Sequence, residues 1–479
     1  MESWDVIVVG SGPAALRAAI ACADGGIVPL MVDEHGVGSA SGASPVAGLA
    51  ASIDELDPQS HIEDTLAAGG DSSKEEVVER VCGEGVNTLA ELERWGLVLR
   101  RRDGGLPHVS QAPGHKVPRL TGCGDSTIRE VTRILEEQAI KRGIQRNSDT
   151  IPIGLASDNF QVRGLVTLNL LDGNVQSIQT KAVILATEGH QGIWSNHNEG
   201  SGTGSALALS AGVSLSGLES KPRHPLTTRE SSIHIPIDVL GSGGRIRREN
   251  GEDVGPEEVL QGENCILDLR GMDTESGTWF SQTESRIRDR MGIDISREVI
   301  PISPGVAFTI GGAPCDENGR VTFQGLTEEG LPSQLWFSGL YAAGRSAFTG
   351  MHGKSPLAGN LLLDDLVSGK AAGNHASQWS STANFGGFDH IQKAELEAKE
   401  KVSALLESDG IPVGKFASRL SSAFSSEQSS KADALNAIRE IKDSGIRLTD
   451  DSLVMNTEML EAIRLYGLAS IAEAILTTG

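Results

Sequence analysis

Gly10, Gly12 and Ala15, set between a β-branched run and a helix, are residues whose spacing can do chemistry. In Gly10-x-Gly12-x-x-Ala15 the first small residue permits a tight turn, and the second lets a pyrophosphate approach a helix N-terminus. The third lets helix pack closely on strand. Asp33 stands 23 residues after Gly10, where an acid accepts hydrogen bonds from a ribose hydroxyl. The surrounding elements suit this reading. WDVIVV at 4–9 predicts a buried parallel strand, GSGPAALRAAIACADGG at 10–26 a turn and helix closed by two glycines, and IVPLMV at 27–32 a second strand. A lone GxGxxA turn can serve packing alone; inside a complete βαβ unit it points to a dinucleotide.

The same style returns downstream. ILATEG at 184–189 and GLYAAG at 339–344 are strands running into small-residue turns. Ala186, Thr187, Gly344 and Arg345 at those turns become cofactor-binding candidates. Returns of this kind bring a chain back beneath FAD, and a dehydrogenase using NAD alone has no need of them. Residues 36–51 (GVGSASGASPVAGLAA) are too small to pack a core and read as a loop whose backbone approaches something closely.

The elements that must position these residues can be read from composition and pattern. The chain has 479 residues, with 41 Lys or Arg against 64 Asp or Glu, a net charge of −23. A surface this negative repels phosphate backbones and argues against a nucleic-acid partner. No apolar run reaches the ~18 residues of a membrane span. The first strand, expected by Trp4, leaves no room for a signal peptide. Five scattered cysteines without a CxxC pair predict reduced, buried thiols in a cytosolic protein and no cysteine metal site. Fifty-eight glycines and only two tyrosines favour an α/β fold over an aromatic-rich sandwich. Periodicity predicts helices over 74–94 and 127–142, then strands through 151–180 with a DG hairpin turn, and a buried strand at 181–187. From 222 to 300 charge is dense and elements are short, as in an inserted cap. A helix over 357–373, a polar linker at 377–388 and helices at 389–407, 431–443 and 456–476 complete the pattern.

Longer stretches carry a resemblance. SHIEDTLAAGGDSSKEEVVERVCGEGVNTLAELERWGL at 60–97, GTGSALALSAGVSL at 202–215, ENCILDLRG at 263–271 and TIGGAPCDENGRV at 309–321 are four of them. GLYAAGRSAFTGMHGKSPLAGNLLLDDLVSGKAAG at 339–373 and SLVMNTEMLEAIRLYGLASIAEAIL at 452–476 are two more. Together they resemble the flavoprotein subunit of succinate dehydrogenase and fumarate reductase, a family that includes L-aspartate oxidase. The resemblance implies an α/β fold: a Rossmann-like FAD-binding domain (1–221 and 301–376), an inserted α+β capping domain (222–300) and a C-terminal helical domain (389–479). It implies cofactor contacts at Ser41, Ala47, Gly48, Asn360, Leu361 and Leu362 beside the turn residues above. It further implies hydride transfer between a dicarboxylate-like acid and flavin N5, an iron–sulfur subunit as partner, and a cytoplasmic or peripheral place at the inner face of the cell membrane.

The substrate residues of that family are replaced. Pro356 stands at the position of its carboxylate-clamping Arg, Ala307 at its substrate His, and Pro236 and Ile237 at its Thr-Glu pair. GPEEVLQGEN at 255–264 shortens the helix of the proton-shuttling Arg, and Thr203 replaces an Asp. His224, in RHPLT, keeps its type, and His352 is the second catalytic candidate. A buried, hydrogen-bonded histidine is the competing reading of His224. Lys354, Arg345, Arg245, Arg247 and Arg248 are the cations on hand to substitute. Ser41 replaces the histidine that holds FAD covalently in respiratory members, so the expected FAD is non-covalent; Arg345 replaces a Glu that contacts the ribityl chain. Three functions fit: an FAD-dependent oxidoreductase with a divergent acid site, a non-catalytic or electron-relay flavoprotein subunit, and an L-aspartate oxidase-like enzyme.

Overall fold

The computed structural model describes residues 2–35, 45, 48–55, 58–194, 199–218, 220, 222–326, 330–425 and 430–477. The first apolar run forms β1 (Glu2–Val9), whose Val6, Ile7, Val8 and Val9 are all buried, as a strand covered on both faces must be. The helix α1 (Pro13–Asp24) and β2 (Leu30–Val32) complete the βαβ unit. The second strand starts three residues later than its apolar run, because Pro29 has no N–H to give to a ladder.

β1 lies in an eight-stranded sheet. In order, the strands are Arg320–Leu326, Pro332–Ala342, Gln161–Asn169, Val175–Leu185, β1, β2 and Gln145–Asn147, with Thr150–Asp158 added on Gln161–Asn169. The register aligns the strand ends. Val9 pairs with Leu185, and Leu185 with Ala342, both in parallel. Three strands therefore end at one level and release their turns side by side.

The helix Asn360–Thr382 lies against α1 at close range. A Cβ on Gly369 would sit 2.4 Å from the Ala14 carbonyl oxygen, and one on Gly373 2.2 Å from that of Ala18. This helix outruns its sequence expectation of 357–373 and absorbs the start of the supposed linker. The stretch is serine-rich and weakly helical by propensity, but Ala376, Ser377 and Ser380 are buried, and Trp379 stacks edgewise on Trp336 at 5.3 Å. The expected 74–94 helix is two, Glu75–Gly83 and Gly85–Trp95. Glycines flank the break at Glu84, and Gly85 packs where a Cβ would be 3.1 Å from the Ala50 oxygen.

Residues 224–305 form a second sheet of five antiparallel strands, ordered Asp253–Val254, Arg245–Arg248, Cys265–Asp268, Ile300–Gly305 and His224–Thr228. It has its own core around Leu226, Ile246, Leu267, Ile300 and Ile302. The C-terminal helices are Asp389–Leu406, Val413–Ser425, Lys431–Asp443 and Thr457–Thr477. Val413–Ser425 lies outside the expected helices, although Val413, Phe416 and Leu420 recur at helical spacing; Phe416 and Leu420 are buried among neighbours distant in sequence, Tyr466 among them. These helices share a core with the first sheet. Leu465, Leu468 and Ile471 belong to the same buried cluster as Ile7, Val9 and Leu185. All five cysteines are free and buried. Among the described residues no helix is long and apolar enough to cross a membrane.

Candidate functional site

The three strand ends converge. Gly10 N–H donates to the Val32 carbonyl, Ala186 N–H to Val9, and Ala343 N–H to Leu185, each at 2.9 Å. Gly10 has φ +122°, and a Cβ there would meet the Ala186 oxygen at 2.3 Å, so the turn admits only glycine. Gly12 does the opposite. Its backbone is ordinary, and a Cβ would meet nothing within 4 Å, because it would point into the cleft ahead of α1. No described side chain caps that helix, leaving its first N–H groups and positive dipole end toward this space. Ala15 is wholly buried at the contact of helix with sheet.

Gly10, Gly12, Asp33, Ala186, Thr187 and Arg345 line this first cleft together. Asp33 is 4% exposed, and its Oδ2 has no partner among the described residues. Burial pushes its carboxyl up to about 6, against the opposing pull of the Ser11 hydroxyl and His35. A buried acceptor without a donor, a helix N-terminus without a cap and empty space before Gly12 are what a dinucleotide would complete. The residues present fit FAD.

A second cleft opens where Arg345 and Asp365 line both. Here Gly344, at φ +57°, turns the chain, and its N–H donates to Ser368 Oγ at 3.0 Å. Thr309, His352, Leu361 and Asp364 add to the wall. Its two basic side chains already face carboxylates: Arg345 Nη2 lies 3.5 Å from Asp365 Oδ2, and His352 Nε2 lies 3.2 Å from Asp364 Oδ2. Burial raises the Asp365 carboxyl, and the Arg345 guanidinium opposes the shift. His352 Nδ1 and Asp364 Oδ1 are buried without partners among the described residues.

The other expected residues have other surroundings. Gly48 packs so tightly on Thr121 that a Cβ there would lie 3.1 Å from both its backbone N and O. The Asn360 side chain turns to the helix Gln59–Gly69: its Oδ1 lies 2.8 Å from His61 Nε2, and its Nδ2 donates to Thr65 Oγ1 at 2.9 Å. Leu362 is fully buried in the core and lines neither cleft. Ser41 and Ala47 lie outside the described residues. His224 lies in the second sheet. Its Nε2–H donates to the Ile235 carbonyl at 2.6 Å, burial drives its pKa down to about 3, and it lines neither cleft. Arg245, Arg247 and Arg248 are bound to Asp253, Asp268, Glu252 and Glu263 on the second sheet. Lys354 lies beside Gly70. Sequence reasoning missed Glu34, Asp364 and Asp365. A pair of acids inside the apolar start LLLDDLV was the available signal for the last two.

Residues 5–362 match the family model described as FAD binding domain, and the chain belongs to that family. It is an FAD-dependent oxidoreductase related to the flavoproteins of succinate dehydrogenase and fumarate reductase. The fumarate reductase flavoprotein subunit of Escherichia coli (strain K12) is 26% identical over 98% of this chain and 85% of its own length. The L-aspartate oxidase of Streptomyces coelicolor is 28% identical over 76% of this chain and 66% of its own. In fold, a solved E. coli quinol fumarate reductase chain superposes with a TM-score of 0.90 at 24% identity, covering 100% of this chain and 89% of its own.

Proposed function

We propose that this chain transfers hydride between FAD and an organic acid through a site no longer built for an ordinary dicarboxylate. The observation that carries this reading is the second cleft: both of its basic groups, Arg345 and His352, are already matched by Asp365 and Asp364. A dianion removed from water requires cationic donors of its own. The FAD when bound supplies the two-electron acceptor or donor. The protein does the rest. Gly12 and the N-terminus of α1 receive the pyrophosphate, and Asp33 accepts from the ribose. Asp364 faces His352 across 3.2 Å and orients its ring at the cleft wall, where Nδ1 is buried without a partner among the described residues. With Ser41 at the attachment position the FAD is non-covalent. An iron–sulfur subunit is the partner that the family resemblance implies.

The test is a titration of the holoprotein with succinate, fumarate and malonate, followed by turnover with a phenazine acceptor. Succinate turnover ~10²-fold or more below that of ordinary members is expected, since a proton-transfer group alone contributes roughly 10²–10⁴. Turnover at their level would overturn the reading. A flavin spectrum unmoved by any acid, with a photoreducible flavin, would favour the electron-relay alternative, which the paired cations also support. Acid precipitation should leave the yellow chromophore in the supernatant; a yellow pellet would mean a covalent link.

A further inference from the structure

Glu34 follows Asp33 directly and lines the first cleft beside it. Its Oε1 lies 2.9 Å from Arg464 Nη2, while Oε2 is buried and has no partner among the described residues. Arg464 belongs to the last helix, Thr457–Thr477, and its side chain is 6% exposed against 11% for Glu34. The same guanidinium lies 3.3 Å from His35 Nε2. An ion pair this deep is no ordinary surface contact. It also stands at a boundary: a hollow between helix Thr203–Ser210 and the last helix shares Glu34, Pro152, Ser201 and Thr203 with the first cleft, and Arg464 lines that hollow.

A carboxylate oxygen buried without a donor is costly to the protein alone, and the cost disappears when a ligand brings a donor. Here two consecutive residues, Asp33 and Glu34, each present such an oxygen beside one cleft. Adjacent hydroxyls of a ribose, or a hydroxyl and an exocyclic amine, supply two such donors. Carboxylates on consecutive residues also repel, and the Arg464 guanidinium on Glu34 Oε1 offsets that repulsion. We propose that Glu34 is a second acceptor for the adenosine half of FAD, and that Arg464 is its positioning residue, so that docking of the last helix and retention of FAD are coupled. Chain distance makes the coupling consequential: the residues are 430 positions apart, on the first βαβ unit and the last helix.

The experiment follows release of FAD from diluted holoprotein by the recovery of flavin fluorescence, with melting temperatures measured alongside. E34Q and R464Q should each speed release about ten-fold or more, as loss of a hydrogen bond to a charged group does. The double variant should release little faster than either single one, because both remove the same interaction. R464K keeps the charge without the planar fork and should fall between wild type and R464Q; with E34Q it carries the test if R464Q does not fold. Stripping FAD from the wild-type protein should raise hydrogen exchange in 457–477, and E34Q should shrink that difference. Release within two-fold of wild type for E34Q would overturn the proposal. So would an R464Q protein that melts earlier but holds FAD as firmly, since that is a structural role alone.

Discussion

The two clefts share Arg345 and Asp365 but are built on different terms. The first is framed by backbone: three parallel strands in register, a positive-φ glycine and a helix N-terminus, with acceptor oxygens awaiting donors. The second is framed by side chains, and each of its two basic groups faces a carboxylate of the protein itself. Backbone frames keep their function while many side chains change, because N–H groups and dipoles belong to nearly every residue. A side-chain clamp is lost with one substitution. On the function proposed above, that difference is how the chain holds its cofactor site while its substrate site diverges.

The largest expected effect bears on the first cleft. Gly12→Val should abolish FAD binding while the protein still folds, because its side chain meets only the empty space before α1. A folded variant that purifies fully loaded would put the pyrophosphate elsewhere. The reverse operation is Pro356→Arg, which restores the clamping Arg that the family resemblance implies at this position. It should tighten malonate binding, read from the flavin spectrum, by about ten-fold if one charge-assisted contact is gained; turnover should stay low. An unchanged affinity would mean that residue 356 does not reach the substrate.

Two pH responses of opposite sign sharpen the contrast between the units that flank these clefts. His224 in the second sheet has its pKa lowered to about 3 by burial. The unfolded chain takes up a proton near 6.5 and the folded chain does not, so its contribution is full above pH 6.5 and is lost as pH falls toward 3. The loss is on the order of 4 kcal/mol, and His224→Gln should flatten it in urea midpoints measured across that window. Asp33 runs the other way. Burial raises its folded pKa to about 6, so the unfolded chain ionises first; its contribution is best below about pH 4 and declines until about pH 6. The effect is smaller, roughly 1–3 kcal/mol. Asp33→Asn should remove it, and loading with FAD should weaken it, since ribose donors favour the ionised form. A slope unaffected by either would show that Asp33 does not face the cofactor.

Much of the cofactor site was legible in the residues alone because its determinants are local. Gly10, Gly12 and Ala15 act within one turn, and Asp33 ends the next strand. Ala186 and Gly344 announce themselves as strand-to-turn junctions of the same style. The second cleft was not legible in this way. Whether Arg345 is an available cation depends on Asp365, twenty residues on in the helix Asn360–Thr382, and what the His224 ring meets depends on the Ile235 carbonyl beside it. The acids that Arg245, Arg247 and Arg248 meet were not legible either, because strand pairing brings them together.

By itself, then, the sequence determined the elements with strong local pattern: the opening βαβ unit, the long amphipathic helices, the cysteines kept apart, and the family resemblance that brings FAD with it. Periodicity, turn chemistry and propensity act over a few residues, and they need no partner to be read. Tertiary structure decided the rest. It split one helix at Glu84, where Gly85 must approach Ala50, and extended another to Thr382 by burying a serine-rich stretch. It also joined the last helix to the first cleft through Arg464 and Glu34. Each of these depends on which distant surface a segment meets, and so on burial and charge pairing that no local window contains.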